Sequence, residues 1–158
     1  MKEVDVMRVF FDFVSASAMV ILITKDQSRV MPIWIGIFEA QAIQSALDGE
    51  SFKRPMTHDL LKNVIQASGG KVDRVLISGI MDNTFYSSIY IDRAGAETEM
   101  DARPSDSLCI AVKTGAKIYV SDQIYDKFEE RELFEKKLKS DFYSMFLESI
   151  NKNELKKA

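Results

Sequence analysis

Apolar and polar positions along the chain run through a similar order of patterns twice. The segments "EVDVMRVFFDFVS", "SAMVILITK" and "RVMPIWIG" are rich in β-branched and aromatic residues, the side chains that fit a pleated, half-buried surface, and they predict three strands. The period then changes. In "IFEAQAIQSALDG" the residues Ile37, Ala40, Ile43 and Leu47 share one helical stripe, and Gly49 supplies a left-handed stop. A second helix is predicted over "THDLLKNVIQASGG", where Leu60, Leu61, Val64 and Ile65 recur at helical intervals.

After Gly69 and Gly70 the pattern restarts with "KVDRVLISGIM", "TFYSSIYID" and "AETEMDA", read as three strands with Asp82 and Asn83 in the first turn. The helix "PSDSLCIAVKTG" follows and closes at Gly115. Laying "EVDV" at 3–6 on "KVDR" at 71–74 brings the helix after each strand triplet to nearly the same offset. The expectation is an α+β fold from a duplicated β3α-type repeat, residues 1–68 and 69–125, forming one domain over 1–125. Residues 126–158 form a C-terminal helical extension, with Phe128, Phe134, Leu138, Phe142, Phe146 and Ile150 on a stripe that its own domain or a partner subunit must cover.

Composition narrows the function classes. A chain of 158 residues can bury a sizeable core without a disulfide or metal, and its one cysteine, Cys109, reads as a small buried residue on a helix. The N-terminal segment carries acids within its apolar part and fits neither a secretory signal nor a membrane span, so a reducing cytoplasm is the expected location. Net charge is −3, and acids and bases balance from Asp126 onward, so the first 125 residues hold the negative excess. The basic footprint of a purely electrostatic nucleic-acid binder is missing. Bound divalent cations would be one way to reverse an acidic field around phosphate.

Polar residues gather in four places. One is Glu39. Another is "RPMTHDLL", with Arg54, Thr57, His58 and Asp59; the others are "DNTFY", with Asp82 and Asn83, and "DARPSDS", with Asp101, Arg103 and Asp106. Each has an ordinary explanation. Thr57 suits a helix N-cap, Asp59 complements the helix dipole, and Asp82 with Asn83 suits a hairpin turn. A helix start explains neither Arg54 nor His58, the only histidine. Two helix entrances with Arg-Pro pairs would suit a phosphate, and the aspartates would suit Mg²⁺ or Mn²⁺. No phosphate-binding glycine loop, HExxH, paired CxxC or GxSxG motif occurs.

Together "RVMPIWIG", "RPMTHDLL", "DNTFY" and "DARPSDSLCIAVKTGAKIYVSD" resemble the bifunctional nuclease domain family over about residues 3–125. The resemblance implies a barrel-like mixed sheet with helices packed outside, and nuclease activity on both RNA and DNA.

On that basis the expected chemistry is divalent-metal-assisted phosphodiester hydrolysis. Asp59, Asp101, Asp106, Asp82 and Glu39 are the metal-ligand candidates, with Mg²⁺ or Mn²⁺ activating water. His58, Asp59, Asp106 and Arg103 are the catalytic candidates, and Arg54, Asn83 and Thr57 the substrate-binding ones, histidine being the residue type suited to proton transfer near neutrality. The expected partners are nucleic acid and further copies of the chain, as a homodimer or higher homo-oligomer, with no membrane. Two other readings stand beside it: a non-catalytic ligand-binding or assembly module, and a hydrolase of small nucleotides or phosphorylated metabolites.

Overall fold

A computed structural model describes residues 1–141. Three strands, β1 (Lys2–Asp12), β2 (Ser17–Thr24) and β3 (Arg29–Ile35), form an antiparallel meander followed by helices α1 (Ile37–Leu47) and α2 (Thr57–Ala67). A second antiparallel meander, β4 (Lys71–Met81), β5 (Thr84–Arg93) and β6 (Ala96–Ala102), leads into α3 (Pro104–Thr114). Then come β7 (Lys117–Val120), α4 (Asp122–Tyr125) and β8 (Glu129–Glu130), and residues 131–141 are helical.

All eight strands join one mixed sheet in the order β6-β5-β4-β7-β1-β2-β3-β8. The strand β7 was not anticipated, yet it holds the two meanders together by pairing parallel to β4 and antiparallel to β1. The sheet is open rather than barrel-like, ending in β6 and β8. Both ends resist further pairing: β6 presents Glu97, Glu99 and Asp101, and β8 is two residues long.

Helices α1 and α3 pack on one face over a core that includes Val20, Leu22, Ile33, Ile43, Val75, Ile77, Leu108, Ile110 and Val120. Deleting most of a buried side chain such as Ile43, fully enclosed here, costs about 2–5 kcal/mol. Strand β2 is buried on both sides. Ala18, Val20 and Leu22 face that core, whereas Met19, Ile21 and Ile23 meet Val30, Phe134 and Leu138 on the other face. Double burial explains why "SAMVILIT" is an unbroken apolar run instead of an alternating one. Phe134 and Leu138 thus find their cover within the domain, and Phe128 lies in the main core. The predicted stripe positions Phe142, Phe146 and Ile150 lie outside the described residues.

Helix α3 closes as expected at Gly115, whose left-handed φ of 72° a side chain would oppose. Its start is pinned by a buried hydroxyl pair. Ser87 on β5 donates to the Ala102 carbonyl at 2.6 Å and stands 2.8 Å from Ser107 on α3. That anchor fixes Arg103 and Asp106, which lie between Ala102 and Ser107 in the chain.

Candidate active site

The N-termini of α2 and α3 meet through two side chains. His58 Nε2 lies 2.9 Å from Asp106 Oδ1, with the side chains 14% and 26% exposed. Burial pushes the Asp106 carboxyl up, but hydrogen bonds from Arg103 and His58 outweigh it and leave the group below the usual carboxylate range. An ionised carboxylate only accepts, so the proton between them resides on Nε2, and in the neutral ring the lone pair is on Nδ1.

Arg103 is the N-cap residue of α3 and sits between two acids. Its Nε and Nη2 donate to Asp106 at 2.9 and 3.3 Å, and its Nη1 donates to Glu39 on α1 at 3.1 Å. A guanidinium has five N–H donors, and these bonds engage one on each nitrogen. One donor on each terminal nitrogen remains for an anion, on a side chain that is 65% exposed. Glu39 reaches Arg103 by folding over its own helix entrance, where a Cβ built on Gly36 would collide with its carboxylate.

Asp59 belongs to a second, separate pair. Its Oδ1 accepts from Lys113 at 2.6 Å and its Oδ2 from the Met56 backbone N–H at 3.0 Å. The Lys113 hydrogen bond, then the Met56 one, hold this carboxyl below its ordinary range. The N-cap residue of α2 is therefore Met56, and Asp59 does the capping that Thr57 was expected to do; Thr57 is the first helical residue and lines the cleft.

The remaining candidates stand apart from this cluster. Arg54 is exposed in the loop before α2 and makes no ion pair among the described residues. Asp82 and Asn83, with φ of 50° and 58°, form the two-residue turn joining β4 to β5. Asp101 is an exposed β6 residue next to Ala102, whose side chain packs on the core; strand alternation therefore turns Asp101 to the opposite face. Among the described residues no three of His, Cys, Asp and Glu stand together so as to hold a metal ion. Both Asp59 oxygens and both Asp106 oxygens are engaged, and Glu39 is bound to Arg103. As arranged, this donor set does not fit Mg²⁺ or Mn²⁺.

His58, Asp106, Arg103 and Glu39 line a cleft of about 630 Å³ whose other walls include Phe11, Phe38, Phe52 and Lys113. Glu39 and Arg103 also border a neighbouring hollow of about 300 Å³, which Trp34 and Asn83 help to line. Phe38, Phe52 and Lys113 were not singled out from sequence. Phe52 carried the clearest signal, an aromatic in a polar loop between Ser51 and Lys53, outside either helical stripe. Cys109 is fully buried, its thiol pushed up to about 12 by burial, and takes no part.

The model of the bifunctional nuclease domain matches residues 20–132. The chain belongs to the bifunctional nuclease domain family. An uncharacterized protein of Mycobacterium tuberculosis is 36% identical over 124 residues, covering 78% of this chain and 74% of its own. Bifunctional nuclease 1 of Oryza sativa subsp. japonica is 26% identical over 110 residues, 68% of this chain and 33% of the rice protein. Bifunctional nuclease 2 of the same plant is 26% identical over 106 residues, 65% of this chain and 33% of the rice protein. The bifunctional nuclease match contains α1, α2 and α3 entire, and with them every residue of the cleft cluster. Among the described residues no helix is long and apolar enough to cross a membrane.

Proposed function

We propose that the cleft hydrolyses phosphodiester bonds of RNA and DNA. The observation that carries this reading is the guanidinium of Arg103, locked between Glu39 and Asp106 with two donors free, beside the His58–Asp106 pair. A phosphate seated on the two free donors lies next to the imidazole. His58 Nδ1 takes a proton from water as the water oxygen bonds to phosphorus, and the P–O bond to the leaving oxygen breaks. That oxygen takes its proton from solvent water, and the imidazolium releases its own to bulk water, which returns His58 to the neutral state. Asp106 fixes the ring and stabilises the imidazolium, and Arg103 offsets charge on the phosphate oxygens.

The test is cleavage of labelled single-stranded RNA and DNA by the purified protein with Mg²⁺, Mn²⁺ or EDTA, beside folded His58→Ala and Arg103→Ala variants. Cleavage that survives EDTA and is lost in both variants supports the reading. Cleavage that needs the cation would return Asp59, Asp82 and Asp101 to consideration as ligands. Undiminished cleavage in both variants would remove the cleft from the chemistry.

Self-association is favoured by a different observation. Phe13 and Val14, in the turn between β1 and β2, are 75% and 89% exposed, and Leu60 and Val64 leave an apolar stripe uncovered on α2. Exposed apolar groups of this kind mark subunit interfaces, and a homodimer or higher homo-oligomer would cover them. Sedimentation across a concentration series, with Val14→Lys as control, reads it directly.

A further inference from the structure

The cations that line the cleft are already committed: Arg103 to Glu39 and Asp106, and Lys113 to Asp59. Two others in the adjoining loop are not. Lys53 and Arg54 follow Phe52, a cleft residue, and precede Met56, another; both are exposed and make no ion pair among the described residues. Of the acids lining the same cleft, Glu39 is on α1, Asp48 follows its last residue, and Glu50 lies two residues before Phe52 in the loop. That loop thus carries an acid before Phe52 and two uncommitted cations after it.

Aromatic rings line the same opening. Phe52 is 48% exposed and Phe38 is 83% exposed, and both border the space in front of Arg103. An exposed ring held at a cleft wall is a platform on which any base can stack, and single strands are bound by alternating such platforms with cations for the backbone. A duplex offers no unstacked base to such a platform.

We infer that Phe52, Lys53 and Arg54 form a flanking subsite for single-stranded nucleic acid, Phe52 stacking a base and the two cations holding the phosphate next to the scissile one. Phe38 supplies the opposing platform. The strand leaves the cleft over Lys53 and Arg54, the two cations after Phe52 that have no carboxylate partner among the described residues. This inference rests on the reading of the cleft as a phosphodiesterase, but its binding test does not depend on turnover.

Binding of two ligands separates the subsite from the rest of the cleft: a dinucleoside monophosphate such as UpU, with one phosphate, and the tetranucleotide UpUpUpU, with three. In a His58→Gln background that suppresses turnover, the tetranucleotide binds about tenfold tighter, a difference of the size one added stack or phosphate interaction supplies. The double variant Lys53→Ala/Arg54→Ala abolishes that difference and leaves UpU binding unchanged. It also lowers the slope of log affinity against log salt by about 0.7 for each phosphate no longer neutralised. Phe52→Ala weakens the tetranucleotide about tenfold. Equal weakening of both ligands by the double variant, or no weakening of either, overturns the subsite. Cleavage of the same ligands by the unmodified protein is read separately. Length-dependent binding without cleavage keeps the subsite and rejects hydrolysis, whereas cleavage with no length dependence does the reverse.

Discussion

His58 and Asp106, 48 residues apart in the chain, stand 2.9 Å apart and couple the entrances of α2 and α3. The same carboxylate accepts from Arg103, so a single residue sets the orientation of both the imidazole and the guanidinium. Asp106→Asn keeps the shape but presents an amide that cannot accept at both positions. Cleavage is expected to fall about a hundredfold, the lower end of what a positioned acid–base group contributes, with the circular dichroism spectrum retained. Activity within about threefold of the unmodified protein would sink the assignment.

Gly36→Ala probes the other anchor of Arg103. The added methyl occupies the space of the Glu39 carboxylate, and only the end of a flexible side chain has to move. Stability is therefore expected to change by less than about 0.5 kcal/mol, as at surface positions, while Arg103 loses one of its two holders. Cleavage drops severalfold, and KM rises more than kcat falls, because phosphate positioning is what loosens. Glu39→Ala, which removes the acceptor, should reproduce the effect with Gly36 intact.

Acid should weaken the fold through two carboxyls. Asp59, through Lys113, and Asp106, through Arg103 and His58 against the opposing effect of burial, are both held below the ordinary range when folded. The unfolded chain therefore binds protons first as pH falls. The stabilisation is fully present above about pH 4, the unfolded carboxylate value, and is lost as pH falls through the lower folded values. Urea midpoints measured from neutral pH into strong acid should fall below about pH 4. Asp59→Asn should start lower at neutral pH and decline less steeply.

Asn83→Gly distinguishes a turn residue from a ligand contact. Its φ of 58° is one that glycine adopts freely, so the exchange is expected to be neutral or slightly stabilising in thermal unfolding. Cleavage should be unchanged. A loss of cleavage with stability intact would assign the Asn83 side chain to substrate after all.

The two meanders and the helices α1, α2 and α3 were legible in the sequence because their apolar periods are long and locally bounded. The strand β7 was not, since "KIYV" is four residues whose neighbours in the sheet lie far away in the chain. The site was half legible. His58 stood out as a histidine that a helix start does not need, but its pairing with Asp106 is a product of how α2 and α3 pack. Asp101 and Asp106 were grouped because they are close in sequence. Strand alternation separates them, which no spacing argument for a helix entrance contains. The capping of α2 shifted by one residue because Met56, not Thr57, keeps the extended backbone of the N-cap, and Asp59 reaches back to accept its N–H.

The placement of β7 also orders the birth of the molecule. Chain growth delivers β1 first, yet the inner edge of β1 receives its partner only when residues 117–120 emerge, and β7 then joins it to β4, made well after it. Until then a nascent chain carries two separate meanders, each with an unpaired edge strand, and the entrances of α2 and α3 belong to different halves. Closing so many long-range pairings at once is slow, and bare edges invite pairing with other chains. Before residue 120 is made, β1 and β4 each keep an edge that the finished sheet pairs with β7.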